Sequence, residues 1–209
     1  MGEAPARPSA AVLLVRDAPG AVEVLMVRRG AGAAAFGGAW VFPGGLVEAQ
    51  DYGIRDDGLG PAEALAELTR RGGTPPASAE DALALYRAAV RELGEEAGVR
   101  LDGPRALTYF SHWITPYGLP RRFDTRFFVA AMPPDQEAAH CGVETDGCRW
   151  VEPHEALREY HEGRFPLVLP TRMHLQRIAP FRSVQAVLAE GSSKPISTVL
   201  PDRPPPERA

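Results

Sequence analysis

The chain has 209 residues, of which 44% are hydrophobic and 24% charged, a composition typical of a globular protein that can bury a sizeable core. Its formal net charge of −4 argues against a protein that coats a nucleic-acid polymer, and no apolar run approaches the length of a membrane span. Two cysteines in a chain of this length favour a reducing compartment over a secreted disulfide scaffold, so we expect a cytoplasmic protein that does not engage a membrane.

The first part of the chain predicts a β-hairpin followed by a loop. Two apolar, β-capable runs at 10–16 and 22–28 flank a Pro-Gly turn signal. The stretch 29–39 is rich in Gly and Ala and predicts a loop, and the sequence then runs through the short apolar segment 40–42 into a Pro-Gly-Gly turn. Residues 1–8 predict a loose tail.

The middle of the chain contains its strongest helix signal, at 78–97. Ser78 or Asp81 can cap this helix, and Gly98 stands where a helix stops. Its buried stripe is predicted to comprise Leu83, Tyr86, Val90, Leu93 and Ala97. The preceding segment, 52–79, reads as an insertion with a short helix at 62–71; if it is peripheral, deleting 55–76 should alter substrate choice or oligomerisation more than chemistry.

The remainder predicts strands and then helices. Strand-like runs occupy 107–113, 122–131 and 148–151; helix candidates occupy 153–162 and 169–178; a last apolar segment covers 184–188. We expect one domain at 9–190, with flexible tails at 1–8 and 191–209.

The segment 91–99 carries the chemistry. Glu92 precedes Glu95 by three residues and Glu96 by four, so on a helix all these carboxylates project to one face. Clustered carboxylates repel each other unless a cation joins them, and Mg²⁺ or Mn²⁺ prefers such oxygen ligands. Arg91 can pair with Glu95 one turn later. The alternative is a solvated acidic helix face.

From Gly45 to Val99 the chain resembles a Nudix box, whose pattern is G-x5-E-x7-R-E-U-x-E-E-x-G-U, where U is a bulky aliphatic residue. Gly45 matches the first glycine, and Asp51 stands where the family has Glu. The second half of the pattern is matched by Arg91, Glu92, Leu93, Glu95, Glu96, Gly98 and Val99. Between Asp51 and Arg91 lie 39 residues where the pattern has seven, so the box is interrupted.

A split box resembles the Nudix branch that includes the peroxisomal CoA and acyl-CoA diphosphatases. The segments SHWITP at 111–116, PRRFDTRFF at 120–128 and ETD at 144–146 are also similar to that branch. The better-known CoA signature places arginines in the loop before Phe-Pro-Gly-Gly. Here Gly38 and 42–45 fit that signature, but 30–37 contain no arginine.

The resemblance implies an α/β fold, a Nudix-type α/β/α sandwich with a mixed β-sheet and an insertion inside the box. It implies that Glu95 and Glu96 are metal ligands, that Glu92 is a ligand or the general base, and that the carbonyl of Gly44 or Gly45 completes a coordination sphere. The resemblance further implies that Glu96 is both a metal ligand and a catalytic residue. Arg91 and Asp51 are expected to be structural parts of the box.

Further residues are candidates outside the box helix. Glu144 could supply an additional catalytic acid, with a surface loop acid as the alternative. Arg122 and Arg126, which share a strand face, could bind substrate phosphates, and a charged strand edge is the alternative. Phe42 is a candidate substrate contact.

These expectations favour a Mg²⁺- or Mn²⁺-dependent diphosphatase acting on a small nucleoside-diphosphate-linked molecule such as CoA or acyl-CoA. A nucleotide sugar, ADP-ribose, a dinucleotide or an oxidised nucleotide are alternative substrates on the same fold. A Nudix-type binding or regulatory module without turnover is a second alternative. Many relatives are dimers, so a homodimer is expected by analogy alone.

Overall fold

A mixed β-sheet with helices on both faces forms the centre of the molecule. The computed structural model describes residues 4–30, 32, 37–140, 142 and 145–202. The strands are β1 (Ala6–Ala18), β2 (Ala21–Arg29), β3 (Trp40–Val41), β4 (Gly44–Leu46), β5 (Thr108–Ile114), β6 (Arg122–Ala131), β7 (Thr145–Val151) and β8 (Thr198–Val199). The helices are α1 (Pro61–Arg71), α2 (Ala79–Ala97), α3 (Pro153–His161), α4 (Leu169–Ile178) and α5 (Val184–Ser193).

The strand order is β3-β2-β1-β6-β5-β8, with β4 paired to β1 and β7 paired to β2. The pairs β1–β6 and β5–β8 are parallel, and the other strand pairs are antiparallel. β1 changes partner along its length: Val15 pairs with Val24 of β2, whereas Ser9 pairs with Leu46 of β4. The short strand β4 therefore lies beside the central strand, where β2 no longer pairs with it.

Two apolar cores lie on opposite faces of the sheet. One joins α1 and α2 to the even-numbered residues of β1, such as Val12 and Leu14. The other joins α3, α4 and α5 to the odd-numbered residues, such as Leu13 and Val15. Side chains of a strand alternate between faces, so the continuous apolar run of β1 supplies both cores. This arrangement confirms the expected α/β class, with a mixed sheet between two layers of helices.

Helix α2 has the termini that its sequence predicts. The hydroxyl of Ser78 accepts a hydrogen bond from the backbone N–H of Asp81 at 3.0 Å. Gly98 ends the helix with φ = 67°, in the left-handed region that glycine adopts without strain. Tyr86 packs against Phe128 of β6 with ring centroids 4.6 Å apart, so the predicted apolar stripe faces the sheet. The predicted hairpin, the strands 107–113, 122–131 and 148–151, and the helices are likewise confirmed, with ends shifted by a few residues.

Parts of both segments that were expected to be tails belong to regular structure. β1 begins at Ala6, inside the segment 1–8, because Ala6 to Pro8 pair with the start of β6. At the other end, α5 extends to Ser193 and β8 pairs with β5, so 191–199 is ordered. Composition did not reveal this, because a polar segment can be held by backbone pairing to a sheet edge.

The insertion 52–79 is part of the fold, not a peripheral feature. Ala64 and Leu68 of α1 are buried in the same core as α2. The guanidinium of Arg71 donates to the backbone carbonyls of Gly191 and Ser192 in the last turn of α5. The insertion therefore packs against the box helix on one side and the C-terminal segment on the other.

No helix within the described ranges has both the length and the apolar character needed to cross a membrane.

Candidate functional site

A cavity of about 740 Å³ lies where β4, the first half of β1 and the start of β6 meet. Its wall includes Gly44 and Gly45 of β4 and the carboxylate-bearing Glu92 of α2. Arginines also line it, among them Arg7 and Arg122. The cavity thus brings the two halves of the interrupted box together.

Arg91 binds most of the box through its guanidinium. Its Nε and Nη2 donate to the two carboxylate oxygens of Asp51 at 2.9 and 3.0 Å. Nη1 donates to Glu92 at 2.8 Å and to Glu95 at 2.9 Å, and Nη2 also donates to the Leu46 carbonyl at 2.9 Å. A guanidinium has five N–H donors, so this set of acceptors uses all of them. The hydrogen bonds to Asp51 above all, then those to Glu92, raise the pKa of Arg91 despite its burial.

The predicted pairing of Arg91 with Glu95 is confirmed, and the side chain of Glu95 remains 55% exposed. Asp51, by contrast, is 1% exposed. Its shorter side chain still reaches Arg91 because a short 3-10 helix at Ala49–Asp51 carries it there. The backbone N–H of Glu48 donates to Asp51 at 2.8 Å and fixes the carboxylate.

Glu96 lies on the buried side of α2. One carboxylate oxygen accepts a hydrogen bond from the backbone N–H of Gly44 at 2.9 Å. The other oxygen lies 4.0 Å from Nη1 of Arg29 at the end of β2. The negative charge of Glu96 is therefore oriented by the first residue of β4 and partly balanced by an arginine.

Gly45 lies directly against Glu92. A Cβ atom placed on Gly45 would fall 2.2 Å from the Oε1 atom of Glu92. A Cβ on Gly44 would instead meet the backbone of β1, 2.4 Å from the Ala10 carbonyl oxygen. Only glycine lets the β4 backbone approach the box carboxylates this closely.

These groups have the chemistry that a divalent cation requires. In the described part of the chain, no three or more His, Cys, Asp or Glu side chains converge into a ready-made metal cluster. Mg²⁺ is usually held by one or two carboxylates together with substrate phosphates, and it does not need such a cluster. Glu92 and Glu96, which lie on one helix face beside the backbone of Gly44 and Gly45, fit that mode of binding.

Arg122, one of the two predicted phosphate-binding residues, lines the cavity. Its guanidinium forms hydrogen bonds with backbone carbonyl groups. It donates to the carbonyls of Thr115 and Pro116 at 3.1 and 3.2 Å, and to that of Ala4 at 3.0 Å. The Cζ atom of Arg122 lies 4.2 Å from the centre of the Tyr117 ring, in a cation–π contact. Arg122 therefore shapes the cavity wall by fixing the N-terminal segment.

Arg126 does share a face with Arg122, but the prediction that it contacts substrate is corrected. It is 3% exposed, does not line the cavity and forms an ion pair with Asp124. Its Nη2 donates to the carbonyl of Thr74 in the insertion at 2.6 Å. Beside it, burial lowers the pKa of His112 more than the hydrogen bond to Asp124 raises it.

Phe42 is also a core residue, and its predicted substrate contact is corrected. It is 3% exposed and packs edge-on against Phe127 and His174, with ring centroids 6.4 and 5.9 Å away. For Arg126, the alternation of a strand gives the face of the side chain but not its depth. Phe42 lies between β3 and β4, and only the packing around it shows that it is buried. Glu144 lies outside the described residues.

Other arginines were missed at the sequence level. Arg87, one helical turn before Arg91, donates to Asp57 at 2.5 Å and to the Gly53 carbonyl at 2.7 Å, and so fastens the start of the insertion to α2. Its spacing of four residues from Arg91 was an available signal. Arg7 and Arg29 lie on strands and gave no comparable signal.

Comparison with known proteins agrees with this geometry. Residues 69–169 match the family model of the NUDIX domain. The putative nudix hydrolase 7 of Caenorhabditis elegans is 28% identical over 75% of this chain and 55% of its own length. The human acyl-coenzyme A diphosphatase NUDT19 is 32% identical over 38% of this chain and 22% of its own length. The chain thus spans about half the length of the first of these relatives.

Among solved structures, a NUDIX hydrolase from Alicyclobacillus acidocaldarius superposes with a TM-score of 0.70 and 25% identity, covering 91% of this chain and 99% of that one. The NUDIX domain of Shewanella oneidensis NrtR, complexed with ADP ribose, superposes with a TM-score of 0.53 at 14% identity, covering 83% and 86%. The second likeness concerns the fold alone.

Proposed function

We propose that this chain, which carries a NUDIX domain, is a hydrolase that cleaves a diphosphate bond in a nucleoside-diphosphate-linked substrate with the help of Mg²⁺ or Mn²⁺. The observation that carries this proposal is the simultaneous binding of Asp51, Glu92 and Glu95 by Arg91. This contact gathers both parts of an interrupted box at one cavity.

In the proposed site, Glu95 and Glu96 would hold the metal, with a backbone carbonyl of Gly44 or Gly45. A bound divalent cation neutralises the phosphate oxygens and makes water a better nucleophile. Glu92, which lines the cavity, would take the proton of the attacking water at its carboxylate. Arg91 would keep that carboxylate in place by its hydrogen bond of 2.8 Å.

CoA or acyl-CoA is the substrate class that we propose first. Support comes from the split box and from the likeness to an acyl-coenzyme A diphosphatase over 38% of this chain. A nucleotide sugar, ADP-ribose, a dinucleotide or an oxidised nucleotide would use the same carboxylates. A binding module without turnover is the remaining alternative.

A hydrolysis panel tests the proposal. CoA, an acyl-CoA, ADP-ribose, NADH, dinucleoside polyphosphates and nucleoside triphosphates are each incubated with Mg²⁺, with Mn²⁺ and with EDTA. We expect release of phosphopantetheine and adenosine 3′,5′-bisphosphate from CoA, abolished by EDTA. Cleavage of another diphosphate alone would keep the chemistry and reject CoA. No cleavage by folded protein would reject the enzyme and favour the binding module.

The variant Glu96→Gln tests whether the carboxylate of Glu96 is needed for turnover. The amide keeps the size of the side chain but loses the charge that a cation needs, so turnover should fall at least about 100-fold with little change in folding. Glu80→Gln is the control, because Glu80 is an exposed acid in the first turn of the same helix. Equal activity of wild type and Glu96→Gln would reject the metal assignment.

A further inference from the structure

Arg29, the last residue of β2, lies at the cavity beside a proposed metal ligand. It lines the cavity together with Gly44, Gly45 and Glu92. Its Nη1 atom is 4.0 Å from Oε1 of Glu96, within ion-pair distance, and the two side chains are only 25% and 3% exposed. Because charges interact more strongly where water is largely excluded, the charge of Arg29 acts on whatever Glu96 binds.

The backbone fixes the position of Arg29. Its N–H donates to the Ala39 carbonyl at 3.0 Å, and its carbonyl accepts from the N–H of Gly38 at 2.9 Å. Side chains of a strand alternate between faces, and Leu25, an even number of residues earlier, lies in the core shared with α2. Arg29 therefore projects from β2 to the face on which α2 lies.

The preceding residue, Arg28, projects to the other face. Its Nε donates to Asp146 at 2.6 Å, and its guanidinium lies over the ring of Trp40. Trp40 packs against the core on the side of α3, α4 and α5. Arg28 is not among the described residues that line the cavity. The two arginines thus carry the same charge at adjacent positions, but Arg29 is the one of the two that faces Glu96.

The contact between Arg29 and Glu96 competes with metal binding. A divalent cation held by the Glu96 carboxylate and a guanidinium 4.0 Å from that carboxylate repel each other. The Nε atom of Arg29 is buried and forms no hydrogen bond with any described residue, so the contact leaves donors of this guanidinium unused. A diphosphate in the cavity would offer oxygen acceptors to these donors and relieve the repulsion.

We propose that Arg29 couples metal binding to diphosphate binding. It opposes a divalent cation at Glu96 when the cavity holds no phosphate, and it pairs with the diphosphate when both ligands are present. This inference deepens the proposed function and rests on it for the metal site at Glu96. Coupling between two ligands is reciprocal, so Arg29 makes each ligand bind better in the presence of the other.

Two binding measurements test this coupling, and neither needs turnover. Electron paramagnetic resonance gives the dissociation constant of Mn²⁺ alone. Calorimetry in excess Mn²⁺ gives that of α,β-methylene-ADP, in which a methylene group replaces the bridging oxygen that hydrolysis would break. Arg29→Gln should bind Mn²⁺ alone about 10-fold more tightly than wild type, and the nucleotide about 10-fold more weakly. Arg28→Gln removes the same charge on the other face and should match wild type in both measurements.

The opposite directions of the two changes distinguish coupling from a damaged fold, because a distorted site would weaken the binding of both ligands. Melting temperatures verify folding, and Arg29→Met, which keeps the aliphatic stem without the charge, gives the same comparison if Arg29→Gln unfolds. Equal Mn²⁺ affinity in wild type and Arg29→Gln, or nucleotide binding that is not weakened in the variant, would overturn the role of Arg29 and leave the metal site intact. No Mn²⁺ binding to folded wild type would overturn the metal site, and with it both this inference and the metal-dependent proposed function.

Discussion

Asp51 and Arg91 form a bidentate ion pair of 2.9 and 3.0 Å although 39 residues separate them in the sequence. The pair closes the interrupted box in space. The chain between these residues leaves the site after Asp51, forms α1 against α2 and returns through α2 to Arg91. The length of the interruption therefore does not separate the two halves of the motif.

Asp51→Asn should destabilise the protein and lower activity. The change leaves the Arg91 charge without its main partner in a site where Asp51 is 1% exposed, a situation that costs about 3 kcal/mol in the free energy of unfolding. Chemical denaturation measures the loss, and Asp56→Asn in the exposed loop that follows is the control. Equal stability of the three proteins would show that the pair is dispensable.

Gly45→Ala should reduce turnover more than stability. The new Cβ would meet the end of the flexible Glu92 side chain, which can move aside but would then leave its position in the site. Gly44→Ala should do the reverse and destabilise the fold, because its Cβ would meet the backbone of β1. Paired kinetic and thermal measurements compare these variants with Gly60→Ala, where a Cβ meets nothing within 4 Å. Full activity in Gly45→Ala would contradict the close approach.

Because of His174, the free energy of unfolding should decrease as the pH is lowered. Burial lowers the pKa of this residue to about 3, against about 6.5 in an unfolded chain. Between these values the unfolded state binds a proton that the folded state does not, so acidification favours unfolding by about 1.4 kcal/mol per pH unit. The contribution of His174 is present in full above about pH 6.5 and is lost as the pH falls towards 3.

The double variant Ser111→Ala/His174→Phe tests this pH dependence. It removes the titrating ring and also the hydroxyl that pairs with it, while an aromatic ring still fills the space between Phe127 and Phe42. Unfolding free energies at pH 7 and pH 5 should differ less in the variant than in wild type. An identical difference would show that other groups carry the acid sensitivity.

Leu68→Ala should destabilise the whole protein. Leu68 of α1 is 2% exposed in the core shared with α2, so its truncation should cost about 2–5 kcal/mol. Leu65→Ala, at a half-buried position of the same helix, should cost less. Deletion of 55–76 should then prevent folding, not merely change substrate choice. A folded, active deletion variant would restore the view of a peripheral insertion.

The sequence by itself determined most of the helices and strands and the acidic face of α2. Hydrophobic periodicity, a capping serine and a terminal glycine are local signals, and they predicted α2 nearly to the residue. The positions of Glu92, Glu95 and Glu96 on one face also follow from helix geometry alone. These predictions succeeded because they depend on neighbours within one turn.

Only the tertiary structure decided how distant segments meet. Tertiary folding places Asp51 beside Arg91 and packs α1 between α2 and the C-terminal segment. It also buries Phe42 and Arg126 away from the cavity. Sequence alternation assigns a side chain to a face, but depth depends on what packs above that face. The approach of Arg29 to Glu96 likewise depends on how α2 packs against the end of β2, which no local pattern encodes.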